Sequence, residues 1–117
     1  MNEADTRAEL IDKQLEAAGW VTSAETGVRV RREFGINDGE IRAGGIRTGR
    51  LIADYILEYK NIKLAVVEAK SNELEVSEGV AQAKLYAQKL HLETSYAANG
   101  NEIYQIFHKT GTEGLVE

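Results

Sequence analysis

The sequence predicts an α/β sandwich in one domain over residues 1–117, with a mixed, largely antiparallel sheet flanked by helices. Three observations carry that prediction. Two segments repeat apolar residues at helical spacing. Runs rich in strand formers follow each of them, broken by turn signals. The resulting order is helix, several strands, helix, two strands. A chain of 117 residues is long enough to bury one sizeable core.

Each element has a local reason. Thr6 is placed to cap the first helix, with Glu9 three residues later as a capping box. Ala8, Ile11, Leu15 and Ala18 follow at helical spacing, and Gly19 is placed to end the helix. Trp20 and Val21 then begin a short strand or extended segment. The stretch VRVRREF, residues 28–34, opens with alternating apolar and basic residues and reads as a strand. Residues 35–50 hold five of the eleven glycines and read as a long loop. LIADYILEY at 51–59 and KLAVVEAK at 63–70 read as a hairpin. Ser77 is placed to cap a second helix ending near Leu90, with Val80, Ala83, Ala87 and Leu90 as its core stripe. Residues 94–107 read as a second hairpin turning at Asn99-Gly100. There is no proline, so Gly, Asn and Asp must make the turns.

The bulk composition excludes several classes. With no cysteine there are no disulfides and no thiolate metal site, which fits a cytoplasmic protein. No apolar run approaches the roughly 20 residues of a membrane span, and the polar, acidic start is unlike a signal peptide. The net charge of −5 is unlike that of a free-standing nucleic-acid binder. The charge is uneven, however. Residues 29–70 carry nine basic and six acidic side chains, and both flanking segments are acidic.

The positive middle segment contains LAVVEAK, residues 64–70. Alternation puts Val66, Glu68 and Lys70 on one face of this strand, and Val67 and Ala69 on the other. The preceding strand carries one acid in its apolar run, Asp54. A two-residue turn with regular pairing would set Asp54 against Val67 and keep the two acids apart. An odd-length turn or a bulge would set Asp54 opposite Glu68. Two carboxylates held together repel one another, and a divalent cation removes the conflict. Mg²⁺ suits such oxygen donors, and Lys70 beside them could offset phosphate charge. That is a plausible site for phosphodiester hydrolysis. The alternative is a solvated strand end with a harmless ion pair. Gln82 and Tyr86, one turn apart on the second helix, flank its apolar stripe and could reach the site. Tyr86 could equally be an aromatic at the core edge. His91 and His108 show no ligand spacing, and no serine has a neighbouring His–Asp pattern.

Asp54, then Glu68-Ala69-Lys70, then Gln82-x-x-x-Tyr86, resembles the PD-(D/E)XK nuclease superfamily with its Q-x-x-x-Y motif. More narrowly, the chain resembles the nuclease domain at the N-terminus of type I restriction enzyme R subunits. TRAELIDKQLEAAGW resembles that family's opening helix, ADYILEYKNIKLAVVEAK its catalytic hairpin, EGVAQAKLYAQKL its Q-x-x-x-Y helix and YAANGNEIYQI its closing hairpin. Ala53 stands where the superfamily name implies proline.

The resemblance implies an Mg²⁺-dependent endonuclease, with Mn²⁺ able to substitute. Asp54, Glu68 and the Ala69 carbonyl would hold the metal. Lys70 would be catalytic, and Gln82 and Tyr86 would support DNA positioning or the active-site network. Such nucleases often add an acid from the first helix; Glu9 is the candidate, with a capping role as its alternative. The resemblance also implies duplex DNA as substrate, methyltransferase and specificity subunits as partners, and a longer chain carrying an ATP motor. No G-x-x-x-x-G-K-[ST] loop is present, so ATP would act only through that motor. Arg29, Arg31, Arg32, Arg42, Arg47 and Arg50 would form a positive rim for DNA, or else a solvated strand and loop. Two rivals remain: a non-catalytic DNA-docking or assembly module with the same fold, and a repair or junction nuclease of the superfamily.

Overall fold

The structure is a computed structural model and describes residues 1–36, 41–42, 46–47 and 51–116. Its centre is a six-stranded mixed sheet in the order β1-β4-β5-β6-β7-β8. These strands are β1 (Val28–Ile36), β4 (Leu51–Tyr59), β5 (Ile62–Ala69), β6 (Thr94–Ala98), β7 (Ile103–Phe107) and β8 (Thr112–Leu115). β2 (Ile41–Arg42) and β3 (Ile46–Arg47) form a separate small hairpin within the predicted loop. β5 and β6 are parallel and every other pair is antiparallel. The parallel pair arises because the second helix, Val80–Leu90, crosses over between its strands. The predicted class is therefore the observed one.

The sheet is buried on both faces. On one face Ile11, Val30, Tyr55, Leu57, Ala65, Val67, Ala69 and Ala98 pack together beneath the first helix. On the other, Ile36, Ala53, Ile56, Val66, Tyr86, Ala87 and Leu92 pack beneath the second. Burial on both faces explains why β5 reads as a continuous apolar run. Among the described residues, no helix is long and apolar enough to cross a membrane.

Several local expectations are corrected. The first helix begins at Glu3, capped by the Asn2 side chain, which accepts from the Asp5 amide at 2.8 Å. Thr6 is therefore inside the helix and fully buried, and the Thr6–Glu9 capping box is not formed. The helix is α-helical at Glu3–Thr6 and Asp12–Ala17, with a π-helical stretch, Arg7–Ile11, between. That stretch widens the spacing of buried positions to five residues, Thr6 to Ile11, and turns Ala8 out to solvent. Gly19 ends the helix as expected, at φ +94°. Trp20 packs against the core without joining a strand.

Ser77 lies in a 3-10 turn, Val76–Gly79, and the second helix begins after it on Gly79 without a side-chain cap. Asn99 spends its side chain accepting from the amides of Asn101 and Glu102. The closing hairpin accordingly turns one residue later than expected, on Gly100-Asn101, with positive φ at Gly100. β8 was not expected at all.

Candidate active site

The hairpin of β4 and β5 turns on two residues, Lys60 and Asn61, both with positive φ. That is the type I′ pattern, which matches the twist of the strands. Near the turn the pairing is regular, with Tyr59 opposite Ile62 and Glu58 opposite Lys63. The register then shifts: Leu57 faces Ala65, Ile56 faces Val66 and Tyr55 faces Val67. The extra residue is Leu64, a β-bulge. One further step in the shifted register sets Asp54 opposite Glu68, the arrangement that a shared acid site requires.

The two acids clasp each other's strands. The Asp54 amide donates to Glu68 Oε1 at 3.1 Å, and the Ala69 amide donates to Asp54 Oδ2 at 2.8 Å. One oxygen of each carboxylate is thus fixed by backbone. Glu68 is 2% exposed. Its carboxyl is pushed up to about 9, first by burial and then by the neighbouring Asp54 charge, with a smaller push from Glu3. Among the described residues, the ion pairs around this hairpin join Arg7 to Asp54 and Glu33, Arg32 to Asp12, and Arg31 and Lys63 to Glu58, and none uses Lys70. The harmless Glu68–Lys70 pair is therefore not what occupies this strand end. Lys70 follows Ala69 at the end of β5, half-buried, its amide bound to the Ala98 carbonyl at 2.9 Å. Its stem lies along Gly79, where an added Cβ would meet Lys70 Cγ at 3.3 Å.

A second irregularity lies beside Asp54. Val30, Tyr55 and Leu57 face the first helix, whereas Phe34, Leu51 and Ala53 face the second. Regular alternation would keep residues 30 and 34 on one face, and likewise 53 and 55. Both strands therefore slip together between Arg32–Tyr55 and Phe34–Ala53. The pair at the slip is Glu33 and Asp54. Glu33 takes φ +51°, an uncommon conformation for a side chain of its kind. The slip sets Asp54 between the two faces, 15% exposed at its side chain.

The second helix supplies the predicted pair. Gln82 Nε2 donates to the Tyr86 hydroxyl at 2.7 Å. Tyr86 does not flank the apolar stripe as expected; its ring is buried within the core cluster. Its hydroxyl is nevertheless within electrostatic reach of the acids. Burial first, then the charges of Glu68 and Asp54, push its proton affinity up, while the Gln82 hydrogen bond opposes them.

The first helix contributes differently from expectation. Glu9 is exposed, and the helix carboxylate whose charge reaches Glu68 is Glu3. Arg7, not singled out in the sequence, lies 3.6 Å from Asp54 and 3.7 Å from Glu33. Asp12 accepts from the Tyr55 hydroxyl at 2.5 Å and pairs with Arg32 at 3.4 Å. These groups line a recess of about 350 Å³ beside Asp54.

The arginine rim is only partly assembled. Arg31 pairs with Glu58 on the second-helix face, whereas Arg32 pairs with Asp12 on the first-helix face. Arg29 is exposed. Arg42 and Arg47 fall on the small hairpin, and their side chains, like the whole of Arg50, lie outside the described residues. His108 meets Ser95 at 2.8 Å, a contact no sequence spacing announced. Ser95 is fully buried, so its hydroxyl is closed to a substrate.

The acid pair fits a hard divalent cation. It offers two carboxylates held together with a cation, Arg7, near Asp54 alone, and Mg²⁺ binds through one or two such groups plus a phosphate. Among the described residues, no group of three or more His, Cys, Asp or Glu gathers for a metal.

Comparison with known proteins places the chain. Residues 16–113 match the family model of the type I restriction enzyme EcoKI endonuclease subunit second domain. The type I restriction enzyme EcoAI endonuclease subunit of Escherichia coli is 31% identical over 105 residues, covering 86% of this chain and 12% of that protein. A fragment structure described as an HsdR subunit of a type I restriction enzyme from Vibrio vulnificus YJ016 superposes with a TM-score of 0.84 at 32% identity. It covers 99% of this chain and 23% of that one. The chain thus spans about an eighth of the curated relative and a quarter of the solved one. The R-subunit assignment drawn from the motifs is upheld, and the chain belongs to the type I restriction enzyme endonuclease subunit family.

Proposed function

We propose that this chain is the PD-(D/E)XK nuclease domain of a type I restriction R subunit and hydrolyses phosphodiester bonds of duplex DNA with Mg²⁺. The observation that carries this reading is the bulged hairpin. Leu64 shifts the register so that Asp54 and Glu68 meet, with Lys70 two residues beyond. A structural hairpin has no use for two carboxylates in one buried place.

Asp54 and Glu68 would hold the metal with their free oxygens, and the Ala69 carbonyl would complete the protein's share. When bound, Mg²⁺ would neutralise phosphate charge and acidify a water. Lys70 would place its ammonium against the same phosphate, and its packing on Gly79 limits where that ammonium points. Gln82 holds the Tyr86 hydroxyl, which would orient the network beneath the acids. Arg29 and the small hairpin with Arg42 and Arg47 would lie along the DNA backbone. Mn²⁺ would substitute for Mg²⁺. The longer subunit would carry the ATP motor, and methyltransferase and specificity subunits would supply sequence choice.

The test is calorimetric titration of Mn²⁺ into the wild type and into Asp54→Ala. Binding in the wild type that vanishes in the variant is expected. If the wild type takes up no Mn²⁺, even with duplex DNA present, the docking-module reading replaces this one.

A further inference from the structure

Arg7 stands in an unusual position. Its guanidinium lies between Asp54 Oδ1 and Glu33 Oε1, at 3.6 and 3.7 Å. Both distances exceed hydrogen-bond length. Its Nε is shut off from water and finds no acceptor among the described residues. Arginine carries five donors in a rigid fork matched to carboxylate or phosphate. Here that fork satisfies neither neighbour. Among the described residues it is held by charge alone.

The oxygen it faces is informative. Asp54 Oδ2 is fixed by the Ala69 amide. Oδ1 is the oxygen left over, and Arg7 sits against it. The same guanidinium lines the recess of about 350 Å³ beside Asp54, together with Arg32. Arg32 is already committed to Asp12 at 3.4 Å. Asp12, Glu33 and Asp54 line the recess too, and of its two arginines Arg7 is the one set against Asp54. Glu33, its other partner, is 70% exposed and loses little if Arg7 leaves.

We propose that Arg7 is a positioning residue of the hydrolytic site: it occupies Asp54 Oδ1 until a divalent cation takes that oxygen, and then turns its fork to a DNA backbone phosphate in the recess. This rests on the metal-dependent reading above. Before the cation arrives, Arg7 offsets part of the charge conflict between Asp54 and Glu68. Afterwards the cation competes with Arg7 for Oδ1, the oxygen that the Ala69 amide leaves free, and an incoming phosphate is the anion that the fork fits.

The experiment is Mn²⁺ calorimetry on the wild type, Arg7→Gln and Arg7→Lys, paired with duplex DNA binding in Ca²⁺. Removing a competing charge at this distance should tighten Mn²⁺ binding about tenfold in Arg7→Gln. Arg7→Lys keeps the competing charge, so its Mn²⁺ affinity should stay within about twofold of wild type, while the fork that fits a phosphate is lost. DNA binding in Ca²⁺ should weaken in both variants and in neither when Ca²⁺ is left out. Circular dichroism melts confirm that each variant is folded. Unchanged or weaker Mn²⁺ binding in folded Arg7→Gln overturns this inference and leaves the nuclease reading standing. If the wild type takes up no Mn²⁺ even with duplex DNA present, both fall together.

Discussion

The β4–β5 hairpin buries two glutamates, and their surroundings could hardly differ more. Glu58 is 3% exposed, with Arg31 at 2.5 Å and Lys63 at 3.9 Å. Both cations also lie over the Phe34 ring, at 5.7 and 5.3 Å. Glu68 is 2% exposed, and the charged side chain it faces is another acid, Asp54. A buried carboxylate ringed by cations is a solved structural problem. One that faces another carboxylate is solved only when something positive arrives. The bulge at Leu64 separates the two situations: regular pairing holds Glu58 among its cations, and shifted pairing sets Glu68 against Asp54, the acid proposed to be functional.

The largest expected effects follow from that contrast. Asp54→Ala, Glu68→Ala and Lys70→Ala should each lower DNA cleavage by the assembled enzyme roughly a hundred- to a thousandfold, as losing a central electrostatic group does. Glu58→Gln should leave cleavage near wild type. Agarose assays on supercoiled plasmid at equal protein concentration decide this. Retained cutting by Glu68→Ala would erase the distinction between the two glutamates.

Stability should show the opposite pattern. Glu58→Gln leaves Arg31 and Lys63 without their shared anion. Both cations are about a third exposed, which softens the loss. Denaturant melts should register a cost of about 2 kcal/mol, below the full value for breaking a buried pair. Glu68→Gln should instead raise the stability of the metal-free fold at neutral pH, because the Glu68 carboxyl must take up a proton on folding at that pH and a glutamine need not.

Acidity sharpens the same point. The Glu68 carboxyl is pushed up to about 9 in the fold, from the usual 4.5. Between those values the folded chain holds a proton that the unfolded chain has released. This group therefore favours folding most at the acid end, and its contribution is lost as pH rises toward 9. Metal-free melting temperature should fall across that range in the wild type and stay flatter in Glu68→Gln. Saturating Mn²⁺ should restore the alkaline side, since metal binds the ionised pair. A wild-type profile as flat as the variant's would mean that Glu68 is already ionised and compensated.

The sequence carried the elements further than the site. Apolar runs and helical spacing placed both helices and the central hairpin, because burial on two faces leaves a strong pattern in β4, β5 and the second helix. The acids could be named, and the need for a bulge or an odd turn could be stated. Which residue bulges was not legible, since Leu64 looks like any strand residue. Arg7 was hidden for a different reason. Its contact with Asp54 joins distant segments, and the π-helical stretch shifts the helix face by a residue. Glu33 gave no warning either, because a left-handed glutamate within a strand has no local signature. Tyr86 shows the reverse case: its ring is core while its hydroxyl accepts from Gln82 within electrostatic reach of the acids, so the core reading does not displace the site reading.

The smallest expected effect concerns Gly79, which touches neither acid. It is buried beneath Lys70 at the N-terminal end of the second helix. An added Cβ would lie 3.3 Å from Lys70 Cγ and 3.3 Å from Ala97 Cβ. Ala97 belongs to the sheet and gives little, so the lysine stem must move. Gly79→Ala should therefore cost about 1 kcal/mol by overpacking. It should also slow cleavage several-fold with Mn²⁺ affinity unchanged, since a sub-ångström error at a charged group is felt in the transition state. If stability falls and cleavage does not, the Lys70 ammonium is not positioned by its stem, and the contrast between the two ends of the hairpin rests on the acids alone.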